Sequence, residues 1–368
     1  MNIALFSINK NVYSETFIAA HKSMLDGQVF YYYGHSLDQM QLEHAHLQLS
    51  NLGVKRQLLS KLFTYYKKKT TPQQLLKKSL KENKIDVILV EYGTLAYSLL
   101  PLFSICNIPF IVHFHGYDAS VKKVVEECYS YKEVFKKASK VIAVSKVMKT
   151  TLEKMGCPSE KLILNTYGPN DLFLKVEAIK EKLVLLAIGR FVDKKAPYFT
   201  ILAFSKVLEK VPNAKLIMAG NGPLMNMCEN LVEYLDIKAS VSFPGVVTPD
   251  QFRELLSSCR AFVQHSIIAV NGDMEGTPVA ILEAQAAAVP VIATRHAGIP
   301  DVVVDNSTGY LVAEKDVNAM ADAMFKLLKD QELAVKMGEN ARNNILENFT
   351  MTRHIDVLNK ALKEITIH

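Results

Sequence analysis

One stretch constrains this 368-residue chain more than any other: SIIAVNGDMEGTPVAILEAQAAAVPVIATRHAGIP, from Ser266 to Pro300. It reads as loop, helix, strand and second glycine-bearing loop. Thr277 is expected as the helix N-cap and Pro278 as the first helical residue, where a missing N–H costs nothing. VAILEAQAAA continues with good helix formers, and VPVIAT is a short β-branched strand. Gly276 lets the backbone come close to a ligand just ahead of the helix, where unsatisfied N–H groups and the positive end of the dipole favour an anion. Glu275 stands outside that helix. Glu283 stands inside it, about 9 Å along the axis from the cap at 1.5 Å per residue.

That separation has a chemical reading. A diphosphate at the helix start sets a nucleotide's ribose roughly level with Glu283, whose carboxylate accepts from both ribose hydroxyls. Glu275 then lies across the phosphates, beside whatever group they carry. A buried, alanine-rich helix with two incidental glutamates is the ordinary structural alternative.

Length and apolar content suit two α/β domains with a sizeable core. Charge is unevenly placed: residues 1–170 hold 22 Lys and Arg against 13 Asp and Glu, and residues 171–368 hold 21 against 24. Five scattered cysteines (Cys106, Cys128, Cys157, Cys228, Cys259), with no C-x-x-C pair, argue against a disulfide framework or zinc knuckle and fit a reducing compartment. Met1 leads almost directly into the strand NIALFSI, so no signal peptide is expected. LAYSLLPLFSICNIPFIV is interrupted by Pro101, Asn107 and Pro109, so it reads as a buried helix and a strand, not a membrane span. From Lys55 to Lys84 ten cations stand against one acid, Glu82, with Leu, Phe and Tyr interleaved. This run fits either a surface lying on anionic lipid or a solvated helical face. No nucleic-acid motif accompanies it. The expectation is a cytoplasmic protein, with residues 55–84 as a possible contact to the inner face of the membrane.

EGTPVAILE, with its surroundings EGTPVAILEAQAAAVPVIAT and HAGIPD, resembles the E-x7-E signature of retaining glycosyltransferases of family four, which have the GT-B fold. Three further motifs, in the order that family uses, spread the resemblance over most of the chain. It implies two Rossmann-like α/β domains facing an inter-domain cleft: residues 1–171 on the acceptor side and 172–350 on the nucleotide-sugar side, with a terminal helix at about 351–368 returning to the first. The boundary falls on Tyr167–Asp171, a punctuated run of the kind found in linkers.

In the first half, NKNVYSETF replaces the family's usual glycine pair and is similar to a bacterial polysaccharide-type subgroup with an SETFI motif. Ser14 is expected to cap the helix that follows, or to lie on the acceptor side, with Glu15 in the first turn. PFIVHFHGYDAS ends in H-G-x-D, similar to the family's active-site histidine, here His115. His113 is expected to pack, and Asp118 to fix the loop or touch the acceptor. H-x-H also admits a metal, but no D-x-D and no further ligand cluster supports one. Ser145 is expected to cap a later helix.

In the second half, Arg190 and Lys195 fit the family's G-R-x(4)-K motif, whose two cations hold the donor diphosphate; alone they would be exposed loop cations. Ala196–Pro197 departs from the usual glycine after the lysine. Gly220 and Gly222 shape a G-x-G-P loop, and the backbone near Val246 is expected at the nucleobase. Met274, Gly276, Thr277, Pro278 and Glu283 complete the implied donor site, with His115 and Glu275 on the sugar.

The resemblance therefore implies a metal-independent, retaining transferase, with no cofactor, that moves a hexose-type sugar from a nucleotide diphosphate to a hydroxyl acceptor: a lipid-linked sugar, a glycan or a small molecule. A sugar-nucleotide epimerase would use the same site with carboxylates as acid and base and would need no acceptor. A dinucleotide-dependent oxidoreductase is disfavoured, because neither NIALFSINKN nor LLAIGRFVDK gives G-x-G-x-x-G. A binding protein that had lost catalysis would be expected to lack one of Arg190, Lys195, Glu275 or Glu283.

Overall fold

The structure, a computed structural model, describes residues 1–10, 15–44, 71–179 and 181–366. Ser14 and the cations from Lys55 to Lys69 lie outside these residues. The chain divides into two compact units, Met1–Val144 with Lys149–Asn165 and Ile355–His368, and Ser145–Met148 with Thr166–His354.

Among the described residues the first unit has seven strands: β1 (Asn2–Ser7), β2 (Gln28–Tyr33), β3 (Gln41–Leu42), β4 (Val87–Glu91), β5 (Phe110–His113), β6 (Lys140–Ala143) and β7 (Leu162–Leu164). They lie in the order β3-β2-β1-β4-β5-β6-β7, every pair parallel except β2 with β3. β4 (VILVE) and β5 (FIVH) are buried along their whole length, as central strands covered on both faces must be. Their polar residues fall at the carboxyl ends, where Glu91 and His113 stand opposite one another in register. Strand order reverses between β1 and β4, and open α/β sheets bind ligands beyond the carboxyl ends at such a point.

The helix after β1, Thr16–Met24, carries His21 to that place. Glu15 takes the N-cap position of this helix and not its first turn, and its carboxylate accepts from the Tyr92 hydroxyl at 2.8 Å. Pro72 opens the helix Pro72–Glu82, and Gln74 Oε1 accepts from the Thr71 N–H at 3.0 Å. Leu76 and Leu80 are buried there, while Lys77, Lys78 and Lys81 point outwards. In the terminal helix Met351–Thr366, Asn359 accepts from the Asp26 N–H at 2.8 Å and Lys363 pairs with the Asp26 carboxylate.

The second unit has six parallel strands: β8 (Val184–Ile188), β9 (Lys215–Ala219), β10 (Val241–Gly245), β11 (Ala261–Gln264), β12 (Val291–Thr294) and β13 (Gly309–Val312). Their order, β10-β9-β8-β11-β12-β13, repeats the scheme of the first unit, with the reversal between β8 and β11. Leu185, Phe204, Leu216, Val263, Ile292 and Met324 are buried in its core. The loops at the carboxyl edge are laced together by backbone bonds, Gly189 N–H to Ala219 O at 3.0 Å, Phe191 N–H to Asn221 O at 2.9 Å and Gly220 N–H to Gly245 O at 2.7 Å. A Cβ on Gly220 would stand 1.9 Å from Gly189 O, so only glycine allows this approach. The G-x-G-P pattern is thus a packing device between two loops.

Candidate functional site

Two clusters of polar groups stand at the carboxyl edges of the sheets, one in each unit. In the second unit, the turn Asp193–Lys195 follows β8 and delivers Lys195, whose Nζ lies 3.2 Å from Glu275 Oε1. Burial would push the Glu275 carboxyl up, but Lys195 and Lys194 hold it below its ordinary value. Burial likewise pulls Lys195 down, although Glu275 opposes the change. Ala196, next in the chain, has φ 38° and ψ 53°, a left-handed backbone that a glycine would take without strain. The alanine leaves the Lys195–Glu275 pair intact. Arg190 is exposed just beyond β8, and no ion pair reaches it among the described residues.

The helix carrying Glu283 starts later than the sequence suggests. It spans Val279–Ala286, with Pro278 as N-cap and no side-chain cap bond. Thr277 is therefore not the cap, and Pro278 offers no N–H to an anion. By position, the unsatisfied donors are those of Val279 and Ala280. The distance from cap to Glu283 shortens to about 7.5 Å at 1.5 Å per residue. The shift follows from Gly276, whose carbonyl accepts the Gly298 N–H at 3.1 Å and holds Gly276 and Thr277 in the loop. A Cβ on Gly298 would fall 2.1 Å from that carbonyl and 2.7 Å from Thr277 Oγ1, which makes glycine obligatory in HAGIPD.

Glu283 is half-buried, and among the described residues no hydrogen bond or ion pair reaches its carboxylate. Burial raises its pKa to about 7. Val246, beside the end of β10, is 51% exposed. Met274 enters through its carbonyl, which accepts from Lys194 Nζ at 3.2 Å.

Sequence reasoning missed four residues here. Lys194 is buried and pairs with Asp273 at 3.0 Å, fastening the loop that ends in Glu275. His296 Nε2 accepts the Glu275 backbone N–H at 3.1 Å, and its Nδ1 faces Glu314 Oε1 at 2.6 Å. Because Nε2 accepts, the His296 proton sits on Nδ1 and is donated to Glu314. Glu314 also accepts the Ile268 N–H at 3.0 Å, so one histidine and one glutamate tie the loop to the strand ends. Nothing in sequence spacing links His296 to Glu314. Tertiary folding brings them together.

In the first unit, Asp118 is wholly buried, and its carboxylate accepts the N–H groups of His115 at 3.0 Å, Gly116 at 2.9 Å and Gly93 at 2.9 Å. It fixes the H-G-x-D loop and has no exposed surface of its own. His115 is only 5% exposed through its side chain, and its Nε2 lies 2.8 Å from Glu91 Oε2. Phe17 stacks on its ring at 4.6 Å, and Tyr92 tilts against it at 4.5 Å. Tyr92 itself has φ 76°, strain of a kind that collects at functional sites. His113 is buried, as expected, and burial together with His115 lowers its pKa to about 3, so it is neutral. Ligand atoms of His21, Glu91 and His113 lie within 4.8 Å of one another, a set capable of holding a metal ion. It differs from the His113 and His115 pairing that the H-x-H pattern suggests. Ser145 caps its helix as expected, accepting the Met148 N–H at 3.2 Å.

Residues 170–344 match the family described as "Glycosyl transferases group 1", and residues 38–164 match "Glycosyltransferase Family 4". Each of these two stretches of the chain is similar to a glycosyltransferase domain. The chain is 29% identical over 258 residues to WcaL of Escherichia coli (strain K12), a glycosyltransferase provisionally assigned to colanic acid biosynthesis, covering 68% of this chain and 62% of that one. It is 28% identical over 271 residues to the amylovoran biosynthesis glycosyltransferase AmsK of Erwinia amylovora, covering 72% and 66%. The match thus spans less than two thirds of the length of these relatives. Among solved structures, HepE of Anabaena, crystallised with UDP and glucose, superposes with a TM-score of 0.76 over 99% of this chain and 100% of that one at 15% identity. The fold is GT-B. Nothing in the comparisons supports the epimerase alternative. No helix among the described residues is long and apolar enough to cross a membrane.

Proposed function

We propose that the protein is a retaining, metal-independent glycosyltransferase that moves a hexose-type sugar from a nucleotide diphosphate to a hydroxyl acceptor in the synthesis of a surface polysaccharide or glycolipid. The observation that carries this reading is Glu283: a carboxylate with no donor among the described residues, placed on the helix whose start stands beside the Lys195–Glu275 pair. A half-buried carboxyl raised to about 7 gains most from a ligand that brings hydroxyl donors, as a ribose does. Relatives that build colanic acid and amylovoran, and a GT-B neighbour seen with UDP and glucose, support the substrate class.

In this reading Arg190, Lys195 and the N–H groups at the start of Val279–Ala286 receive the diphosphate. The charge that grows on the leaving group as the glycosidic bond breaks is met by fixed cations and backbone dipoles. Glu275 binds the sugar, and the first unit is assigned the acceptor side with His115. The departing phosphate oxygen takes the acceptor's proton on the same face, so Glu275 and His115 act by position and charge and need form no covalent bond to the sugar.

A thermal-shift panel of nucleotide sugars tests the reading. One donor should stabilise wild type and fail to stabilise Glu283→Gln, and turnover with that donor should survive EDTA. Equal stabilisation of both proteins removes the ribose assignment, and activity lost to EDTA and restored by Mn²⁺ or Mg²⁺ removes the metal-free mechanism.

A further inference from the structure

We propose that Glu91 is a positioning residue that fixes the ring tautomer of His115, with His21 as its buried counter-group. The proposal deepens the transferase reading, and only its kinetic arm rests on that reading.

Glu91 ends the apolar strand β4 with no exposure, where an unpartnered carboxylate would be strongly unfavourable. Its two oxygens are divided between imidazoles: Oε1 lies 2.6 Å from His21 Nδ1, and Oε2 lies 2.8 Å from His115 Nε2 and 3.4 Å from His113 Nδ1. An imidazole nitrogen within hydrogen-bond reach of each oxygen, His21 Nδ1 on one and His115 Nε2 on the other, gives the buried carboxylate the donors it needs. An ionised carboxylate can only accept. The His115 nitrogen facing it must therefore be the protonated one, Nε2–H, and in the neutral ring Nδ1 carries the lone pair.

The ring has little freedom to turn. Phe17 lies on one side at an interplanar angle of 24° and Tyr92 at 57°, while Asp118 holds the His115 backbone N–H at 3.0 Å. If packing were the only requirement, an apolar side chain of similar volume would serve as well at the end of β4, without burying a charge. A carboxylate gathered with three imidazoles at the point where strand order reverses instead dictates which nitrogen His115 presents. With the proton held on Nε2, the ring is kept in one tautomer.

Nitrogen-15 NMR of the imidazoles tests this without any substrate. In wild type, His115 should show the Nε2–H tautomer. In Glu91→Gln, whose amide can donate as well as accept, the signal should move to a mixture of tautomers while the protein stays folded. His21→Asn keeps an N–H that can reach Glu91 and should leave the His115 tautomer in place. With the donor that the thermal-shift panel selects, Glu91→Gln should lower kcat about 10–100-fold, the usual range for loss of a group that orients a functional histidine, with little change in donor KM.

An Nδ1–H signal from wild-type His115, or an unchanged tautomer in folded Glu91→Gln, overturns the proposal. So does a tautomer signature lost on dialysis against EDTA, which would assign the cluster to a metal ion. If no nucleotide sugar is turned over, the transferase reading fails and the NMR result still decides the role of Glu91.

Discussion

Lys195 Nζ stands 3.2 Å from Glu275 Oε1, and both side chains are largely withdrawn from water. The pair joins the turn after β8 to the loop after β11 across the point where strand order reverses. Two loops far apart in sequence are thereby held as one charged surface.

Lys195→Met should expose the strain in this arrangement. Removing the ammonium leaves Glu275 buried and unpaired, which should cost about 2–4 kcal/mol in urea unfolding. Adding Glu275→Gln to the same protein should return much of that loss. If Lys195 acts on leaving-group charge, the single variant lowers kcat more than it raises donor KM. A change in KM alone would make it a ground-state anchor.

Glu283 sets a pH signature. Its folded pKa, about 7, is raised above the ordinary carboxylate value of 4.5, so between these two the folded protein binds more protons than the unfolded chain. Stability from this group is full below the lower value and is lost as pH rises through the upper one. Glu283→Gln should therefore gain on wild type between pH 5 and pH 8, by at most about 3 kcal/mol. Urea midpoints at the two pH values measure it, and parallel curves would contradict the assignment.

His296 should matter although it is buried behind the pair. His296→Ala removes the acceptor of the Glu275 N–H and the donor to Glu314. It should lower kcat about tenfold, corresponding to about 1.4 kcal/mol for one displaced backbone contact. Glu314→Gln, which still accepts from the Nδ1–H, should have a smaller effect in the same assay.

Asp118→Asn should be mainly a stability variant. Its carboxylate accepts three backbone N–H groups, and an amide can satisfy only one side of that set. A loss of about 2–3 kcal/mol in unfolding free energy is expected. Wild-type stability in Asp118→Asn would deny it the loop-fixing role.

Local sequence determined a great deal about this protein. Buried apolar runs such as VILVE and FIVH could only be central parallel strands, and their alternation with helical stretches dictated two α/β sheets. EGTPVAILE placed two carboxylates on either side of a helix start, because rise per residue is a covalent matter. What the chain could not display locally is which polar groups meet. Thr277 looks like a cap until the Gly298 N–H reaches the Gly276 carbonyl and delays the helix by a residue. Glu91, His21, His296 and Glu314 carry no spacing signal, since their partners lie 18 to 70 residues away and are chosen by strand order and register. Burial then decided their charge: desolvation punishes every unpaired ion, so the fold settled which carboxylates are held down by partners and which one, Glu283, is left raised near neutrality.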